Sequence, residues 1–456
     1  MRPRFTSRRK LLFEALGGYS GLALTSLLAE GAQANARAQS VISLFMSGGV
    51  SHIDTFDPKP ALAKYAGQPL TGKGDVVVRQ GHPGPLMPSP FAFSRYGQCG
   101  MEVSELFPKM ASHADEIALL RSVYSMSNDH VQAHFAISTG MIRMGFPSLG
   151  SWISYGLGTE NKNLPAFVVL YDAHGAPFGG PANWSAGFMP ATYQGTVFRA
   201  SGTPIIDLNP PASMDAAAQR ARLDLLGKLN EMDAKAHPGN SELAARIESY
   251  ELAYRMQGVA PEAVDVSLES EATRKLYGLD NPVTEPFARQ CIMARRLVER
   301  GVRMVQLYHG GLGNQNMDTW DAHENIRSNH TKHAAEVDQP IHALLTDLKA
   351  RGLLDSTLVT WQGEFGRMPI SQRGLGRDHN PGAMSMWMAG AKIKGGQIIG
   401  SSDEFGYKAE DQPISIHDLH ATILHLLGID HTKLTYRFNG RDMRLTDVYG
   451  ERISQI

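Results

Sequence analysis

Cysteine is scarce in this chain, which has two cysteines, Cys99 and Cys291, among 456 residues. Two thiols so far apart make no zinc-finger spacing, so a cysteine-ligated zinc module is excluded. The two residues would pair in an oxidising compartment or stay as two buried thiols, and the sequence leaves both alternatives open. The chain also lacks an excess of charge of either sign. The formal net charge is −1, which argues against a polyanion-binding surface and against a nucleic-acid partner.

The chain also lacks a hydrophobic run long enough to form a stable membrane span. The most apolar stretch near the N-terminus ends about Leu28 and is interrupted by Glu14 and three glycines, whereas a spanning helix needs about 20 apolar residues. A twin-arginine motif precedes the stretch and small residues follow it: Ser7-Arg8-Arg9-Lys10-Leu11-Leu12, then Ala32-Gln33-Ala34 and Ala36-Arg37-Ala38. Residues 1–38 are therefore predicted to be a twin-arginine signal peptide, with an uncleaved anchor or an unstructured tail as the alternatives. The twin-arginine export machinery would carry the folded protein to the periplasm or the exterior.

Short apolar runs alternate with helical patterns along the mature chain. Val41 to Met46 is apolar, is ended by Ser47-Gly48-Gly49, and predicts a buried first strand that enters a tight loop. The last third alternates strands near 303–308, 357–361 and 383–388 with helices near 331–350 and 416–427. This alternation predicts an α/β fold, with a doubly wound, mostly parallel sheet and helices on both faces. Residues 39–456 would form this domain, with a helical insertion at about 210–300.

Carboxylate and imidazole groups gather in three short clusters within about sixty residues of the last third. The clusters contain Asp321 and His323, then Glu364 with Arg367, then Asp378 and His379. In a parallel sheet, groups at the carboxyl ends of the strands converge on one crevice. Such groups, without cysteine, suit a divalent metal: zinc, magnesium, manganese or calcium. A common point within about 4–6 Å is expected for four of them: Asp321, His323, Glu364 and His379. Asp378 would be a further ligand or a partner that orients an imidazole.

Two motifs nearer the N-terminus carry further candidates. His52 and Asp54 would point to one side of an extended segment, as a metal pair or as an imidazole oriented by a carboxylate. A turn in which His52 is only packed is the alternative. His130 and His134 are four residues apart and would share a helix face, a spacing that can chelate a metal. In the structural alternative, Asp129 or its neighbour is simply the cap of that helix.

Several long motifs resemble an uncharacterised, mostly exported bacterial family related to sulfatases. They include Phe45-Met-Ser-Gly-Gly-Val-Ser-His-Ile-Asp-Thr-Phe-Asp-Pro-Lys-Pro60, Pro147-Ser-Leu-Gly-Ser-Trp152, Met293 to Gly301, Gly363 to Arg367, Gly376 to Pro381 and His417 to Gly428. The resemblance covers essentially the whole mature chain. It implies the fold of the wider alkaline phosphatase, sulfatase and phosphoglycerate mutase superfamily, whose members hold one or two metals at the carboxyl ends of the strands. Those enzymes act on phosphate or sulfate esters through a Ser, Thr or formylglycine nucleophile.

The resemblance also implies roles for individual residues. Asp321 and His323 stand where the superfamily has an Asp/His pair for one metal, and Glu364 stands where ligands of the other metal are expected. His379 matches a later metal-binding histidine. Arg367, in the same loop as Glu364, would bind the substrate oxyanion with a bidentate fork.

The departures from the superfamily pattern concern the nucleophile and the first strand. Ser47 stands where the first strand normally ends in a metal-binding Asp, so Ser47 is assigned to substrate binding and Asp54 would replace the missing ligand. The position of the nucleophile falls on His130, and His130 with Asp129 is assigned to catalysis. A formylglycine signature fails at Met293.

Three functions remain open after these departures. The first is a metal-dependent hydrolase of phosphate or sulfate esters in the cell envelope, with metal-activated water or His130 as the nucleophile. Its substrate would be a small anionic ester or a sulfated or phosphorylated glycan. The second is a non-catalytic exported binding protein that keeps the metal cleft for an anionic glycan or peptide. The third is a purely structural role in which the carboxylates and imidazoles are only hydrogen-bonded.

Overall fold

The computed structural model describes residues 36–74, 76–199, 204–205, 208, 210–211, 213–236, 241–313 and 317–456. Nearly all of the predicted signal peptide therefore lies outside the described residues. Arg37 and Ala38, at its end, contact the folded chain, since the backbone N–H groups of both donate to Leu426 O at 2.8 Å. Cys99 is exposed and Cys291 is buried, and neither forms a disulfide. Within the described ranges, we find no helix with the length and apolar character that a bilayer crossing requires.

An eight-stranded sheet runs through the centre of the molecule. Its strands are β1 Ser40–Met46, β2 Ile117–Val123, β3 Phe167–Tyr171, β4 Thr196–Arg199, β5 Met304–His309, β6 Thr357–Gln362, β7 Met384–Gly390 and β8 Gln397–Ile399. Their order in the sheet is β8-β2-β7-β6-β1-β5-β3-β4. Pairing is parallel everywhere except on the two sides of β7, which is antiparallel to β6 and β2. The predicted doubly wound, mostly parallel fold is confirmed.

Helices cover both faces of this sheet. They are α1 Pro60–Lys64, α2 His130–Thr139, α3 Leu149–Leu157, α4 Ala216–Ala236, α5 Ser241–Val264, α6 Glu271–Tyr277, α7 Glu285–Glu299, α8 Ile326–Ala350 and α9 Ile416–Leu426. Side chains of a strand alternate between faces, so Ile42 and Leu44 of β1 pack with α7 and α8, whereas Val41 and Phe45 pack with α3 and α9. Helix α7, inside the predicted insertion, packs directly on β5.

Short two-stranded ribbons lie outside the central sheet. Their strands are Pro83–Leu86 with Ile370–Gln372, Phe93–Tyr96 with Met101–Ser104, Gly311–Leu312 with Met317–Asp318, Gly366–Arg367 with His379–Asn380, Ser401–Ser402 with Ala409–Asp411, and Tyr436–Phe438 with Arg441–Met443. The ribbon that contains His379 matters most, because its pairing turns the chain back toward the end of β6.

Two local features place side chains at the carboxyl edge of the sheet. Helix α2 begins at His130 because the Asp129 carboxylate caps it, and it ends at Gly140, which has a φ of 75°. The loop after β1 passes very close to the chain at residues 320–321. A Cβ on Gly48 would lie 2.6 Å from the backbone nitrogens of Trp320 and Asp321, so only glycine fits there.

Candidate metal centre

Four side chains from three separate segments converge at the carboxyl edge of the sheet. His130 is the first residue of α2, Asp321 and His323 lie between β5 and α8, and His379 lies in the ribbon that follows β6. Their potential ligand atoms all lie within 4.8 Å of one another. Three of the four side chains expected at one point are in this group, namely Asp321, His323 and His379, whereas Glu364 is not and His130 is.

The spacing of these ligand atoms is that of a small coordination shell. Asp321 Oδ1 lies 2.8 Å from His323 Nε2 and 3.2 Å from His379 Nε2, and Asp321 Oδ2 lies 3.2 Å from His130 Nε2. The Nε2 atoms of His323 and His379 are 2.9 Å apart. Ligand nitrogens around a tetrahedral zinc ion are roughly 3.3 Å apart, given metal–nitrogen bonds of 2.0–2.1 Å. The centre thus has nearly the dimensions of an ion site.

The far nitrogens of His130 and His379 are held by acceptors. His130 Nδ1 donates to Glu364 Oε1 at 2.7 Å, and His379 Nδ1 donates to the backbone oxygen of Asn128 at 2.7 Å. A carbonyl or carboxylate can only accept, so the proton of each ring is on Nδ1 and the lone pair is on Nε2. His130 Nε2 is buried and has no hydrogen-bond partner.

The far nitrogen of His323 is held in the same way. His323 Nδ1 donates to Gln372 Oε1 at 2.5 Å, and the orientation of this amide is fixed because Gln372 Nε2 donates to Gly81 O at 3.2 Å. The Nε2 lone pairs of His130, His323 and His379 therefore all face the Asp321 carboxylate. Metal-binding histidines characteristically donate their other ring N–H to such acceptors. Three imidazole lone pairs and a carboxylate directed at one point form a donor set that suits a divalent cation.

The surroundings of the centre shift the pKa values of its groups in different directions. Burial would raise the pKa of Asp321, but Arg367 and the three imidazoles hold this pKa well below its usual range. Burial lowers the pKa of His379 to about 4, so its ring is neutral near neutral pH. For His130, burial is outweighed by the carboxylates of Asp321 and Glu364, which raise its pKa.

Two of the predicted metal ligands, His52 and Asp54, lie outside this centre. His52 is buried and its Nε2 contacts Gly406 O at 2.8 Å. Asp54 is buried in an ion pair with Arg377, with Asp54 Oδ2 at 2.8 Å from Arg377 Nε. It also accepts a hydrogen bond from Ser51 Oγ at 2.5 Å. Asp54 therefore does not approach the centre as a substitute ligand, because its carboxylate is neutralised by the ion pair with Arg377.

Arg367 was expected to bind a substrate oxyanion, but its guanidinium is fully buried. Its Nε donates to Gly49 O at 2.7 Å, its Nη1 donates to Arg377 O at 3.0 Å, and its Nη2 donates to Gly48 O and to Asp321 Oδ1. The side chain ties the loop after β1 to the metal centre, and no nitrogen is left for a ligand.

Asp129 and Asp378 support the chain around the centre without entering it. Asp129 caps α2 and forms an ion pair with Arg79 at 2.9 Å, so Glu364, and not Asp129, orients the His130 ring. Asp378 accepts hydrogen bonds from the backbone N–H groups of Arg79, Gln80 and His379. Its carboxylate is 3.9 Å from His323 Nδ1, so it neither coordinates nor directly orients that ring.

Glu364 and Ser47 lie one layer behind the ligands. Besides holding His130, Glu364 Oε1 accepts from the N–H of Gly48 at 2.8 Å and lies 3.4 Å from His134 Nε2. Ser47 Oγ is buried and lies 3.2 Å from His134 Nε2. His134 does not share an ion with His130 as their spacing suggested, since its Nε2 contacts Glu364 and Ser47 instead. Gln372 and the Asn128 carbonyl were missed, and no local motif signals either of them.

A second cluster, His309, His333 and Glu336, has a different chemistry. Its ligand atoms also lie within 4.8 Å of one another, and the sequence did not indicate it. Here Trp320 Nε1 donates to His309 Nδ1 at 3.0 Å, so the proton of His309 is on Nε2 and donates to Glu336 at 3.0 Å. His309 therefore has no free lone pair, and we assign no metal to this cluster.

Several solved structures are similar to this chain at low sequence identity. The PsFucS1 sulfatase from Pseudoalteromonas sp. is 12% identical, with 90% of this chain and 72% of that chain covered and a TM-score of 0.37. The lipoteichoic acid synthase LtaP from Listeria monocytogenes is 9% identical, with coverages of 87% and 73% and a TM-score of 0.37. The alkaline phosphatase from the Antarctic bacterium TAB5 is 11% identical, with coverages of 81% and 96% and a TM-score of 0.34. A search of curated proteins by sequence finds no match. The family described as "Protein of unknown function (DUF1501)" matches residues 38–456, and the chain belongs to that family.

Proposed function

We propose that the chain is a metal-dependent hydrolase of phosphate or sulfate esters, with one divalent ion held by His130, Asp321, His323 and His379. One observation carries this proposal: three imidazole lone pairs, each fixed by a hydrogen bond at the far nitrogen, face one buried carboxylate. The proposed substrate is a small anionic ester or a sulfated or phosphorylated glycan. The proposed location, the periplasm or the exterior by the twin-arginine route, rests on the N-terminal motif alone.

The donor set narrows the identity of the ion. Three imidazole nitrogens and one carboxylate oxygen suit zinc, and also manganese, better than magnesium or calcium, which prefer oxygen ligands. Bound there, such an ion would act as a Lewis acid toward the ester and would lower the pKa of water.

The surroundings of His130 favour attack by water over attack by the imidazole. His130 Nδ1 is committed to Glu364, and Nε2 faces the centre as a ligand, so neither nitrogen is free to receive a phosphoryl group. Phe178 stacks on the ring with centroids 4.0 Å apart and 6° between the planes, which fixes its orientation. Glu364 would position this ligand and strengthen its basicity.

The runner-up function is an exported binding protein that uses the same centre. Burial favours it, because the side chains of His130, Asp321, His323 and His379 are exposed by 11%, 8%, 11% and 2%. Zinc sites with four protein ligands are usually structural, whereas catalytic sites keep a position open. Turnover distinguishes the two functions.

Metal content and turnover of the purified mature protein test the proposal together. We expect about one zinc or manganese ion per chain in the wild type, and metal-dependent hydrolysis of an aryl phosphate or aryl sulfate. His379→Ala should lose both, whereas His425→Ala, at an exposed histidine on α9, should keep both. Absence of bound metal, or turnover that survives chelation, would contradict the proposal. Bound metal without turnover on any ester would support the binding protein.

A further inference from the structure

An anionic substrate at this centre needs a cationic partner with free hydrogen-bond donors. Arg367 and Arg377 lie near His379 in the sequence, but neither can donate hydrogen bonds to a substrate. Arg367 is saturated by the loop after β1 and by Asp321. Arg377 is fully buried, forms its ion pair with Asp54, and donates to backbone carbonyls with its remaining nitrogens.

Residues 79–81 form a strap that is fastened to the supports of the ligands. The backbone N–H groups of Arg79 and Gln80 donate to Asp378 Oδ2 at 2.7 and 2.9 Å, next to His379 in the chain. The carbonyl of Gly81 accepts from Gln372, the residue that holds His323. The strap therefore has a fixed position relative to two of the four ligands.

Gln80 brings the strap directly against a ligand atom. Its Nε2 lies 3.0 Å from His323 Nε2 and donates to the lone pair there. This carboxamide competes with any ion for that lone pair, so Gln80 has to withdraw when the centre is loaded, and its amide then becomes available to a bound molecule. The strap thus forms a wall of the centre.

Arg79 presents its guanidinium from this wall. Its side chain is 48% exposed and its Nη2 lies 2.9 Å from Asp129 Oδ2, one residue before His130. The Nε and Nη1 atoms have no hydrogen-bond partner among the described residues. Asp129 therefore holds the guanidinium beside the start of α2, at the neighbour of His130 in the chain, and leaves donors free.

We propose that Arg79 recognises the anionic phosphoryl or sulfuryl group of the substrate, which makes it the residue that selects for charged esters. This inference rests on the proposed metal-dependent function. It transfers the role that the sequence suggested for Arg367 to a residue that the local motifs did not indicate.

Anion binding tests the inference separately from catalysis. Inorganic phosphate and sulfate are titrated calorimetrically into the zinc-loaded protein, with metal content measured on the same samples. Arg79→Gln should weaken phosphate binding about 10- to 100-fold, the loss expected when a charge-assisted hydrogen bond is removed. Arg79→Lys should show an intermediate loss, because it keeps the charge but not the fork. The matched control is Arg437→Gln, at a 65% exposed arginine paired with Asp442 in another ribbon, and its affinity should be unchanged.

The outcomes separate the inference from the proposed function. Equal phosphate affinity in Arg79→Gln and wild type, at equal metal content, overturns the inference and leaves the hydrolase proposal standing. Failure of the loaded wild type to bind either anion overturns the inference as well. Weakened anion binding in Arg79→Gln, together with no hydrolysis of any ester by wild type, supports the inference and assigns the centre to the binding protein.

Discussion

Single nitrogen atoms decide what the metal centre can do. His130 occupies the position at which the resemblance places a nucleophile, yet its two ring nitrogens face Glu364 and Asp321. With Nδ1 bound to Glu364 and the Nε2 lone pair directed at Asp321, His130 is arranged as the proposed ligand and not as a nucleophile exposed to an ester.

Replacing His130 distinguishes a ligand from a nucleophile. For His130→Ala we expect a loss of metal affinity greater than the 10- to 100-fold that removal of an orienting partner typically costs. No covalent phosphohistidine should be trapped in acid-quenched wild-type protein that has turned over a labelled phosphate ester. Full metal content in the variant, or a trapped phosphohistidine in wild type, would restore the nucleophile interpretation.

Gln372 acts on the centre through the ring of His323. Because its carbonyl oxygen accepts the Nδ1 proton of His323, Gln372→Ala should weaken zinc binding about 10- to 100-fold. Gln372→Glu keeps an acceptor in the same place and should retain most of the affinity. Competition with a coloured zinc chelator measures both variants, and equal affinities for the two would show that the hydrogen bond is unimportant.

At the scale of elements, the loop after β1 determines how closely the end of this strand approaches the segment that contains Asp321. Gly48 has a φ of +118°, and a Cβ there would meet the backbone of Trp320 and Asp321 at 2.6 Å. Backbone atoms cannot move aside as flexible side chains do. Trp320 and Asp321 are therefore positioned by contact with a strand end far away in sequence.

Gly48→Ala should consequently be much more harmful than an ordinary glycine replacement. Gly100 is the matched control, because its φ is +67° and a Cβ there would meet nothing within 4 Å. Gly100→Ala should cost about 1 kcal/mol from the left-handed backbone alone. Gly48→Ala should cost several kcal/mol more or prevent metal binding, as measured by urea denaturation and metal analysis. Similar losses in the two variants would rule out the close approach as the cause.

The elements that the sequence predicted are those with strong periodic patterns. The strands β1, β5 and β6 and the helices α8 and α9 all lie within about five residues of their predicted bounds. The antiparallel direction of β7 and the ribbon around His379 were not predicted, because pairing direction depends on neighbours that are distant in sequence. The contacts of the site residues likewise depend on partners that are distant in sequence. Asp54 looked like a ligand within its own motif, and only the fold shows that Arg377 neutralises it.

At the scale of the whole molecule, buried neutral histidines make stability depend on pH. His420 is fully buried, and burial lowers its pKa to about 4. Its Nε2 donates to Ile137 O at 2.8 Å, while Nδ1 is buried without a partner, so a second proton would have no acceptor. His330 is also buried, with a pKa lowered to about 3, and accepts a hydrogen bond from Ser51 N.

Acid should therefore destabilise the fold between pH 6.5 and pH 4. The folded-state pKa of His420 lies below the unfolded value of about 6.5, so the unfolded chain binds more protons in that window and stability falls as pH falls. From pH 7 to pH 5, His420 should account for a loss of about 2 kcal/mol. Urea denaturation of wild type and His420→Gln at both pH values measures this contribution. Parallel pH dependences in the two proteins would contradict it.

The strand order also determines when the protein can fold during synthesis. β1 lies between β5 and β6 at the middle of the sheet, although its partners are residues 304–309 and 357–362. At about 5–20 residues per second, an apolar strand made at the start waits roughly 15–60 s for its second neighbour to leave the ribosome. Until β5 is made, β1 has unpaired edges on both sides, so the nascent chain is a natural client for a chaperone that binds extended apolar segments. A chain that stops before His379 lacks one of the four residues of the centre, so bound metal would report that synthesis had passed that residue.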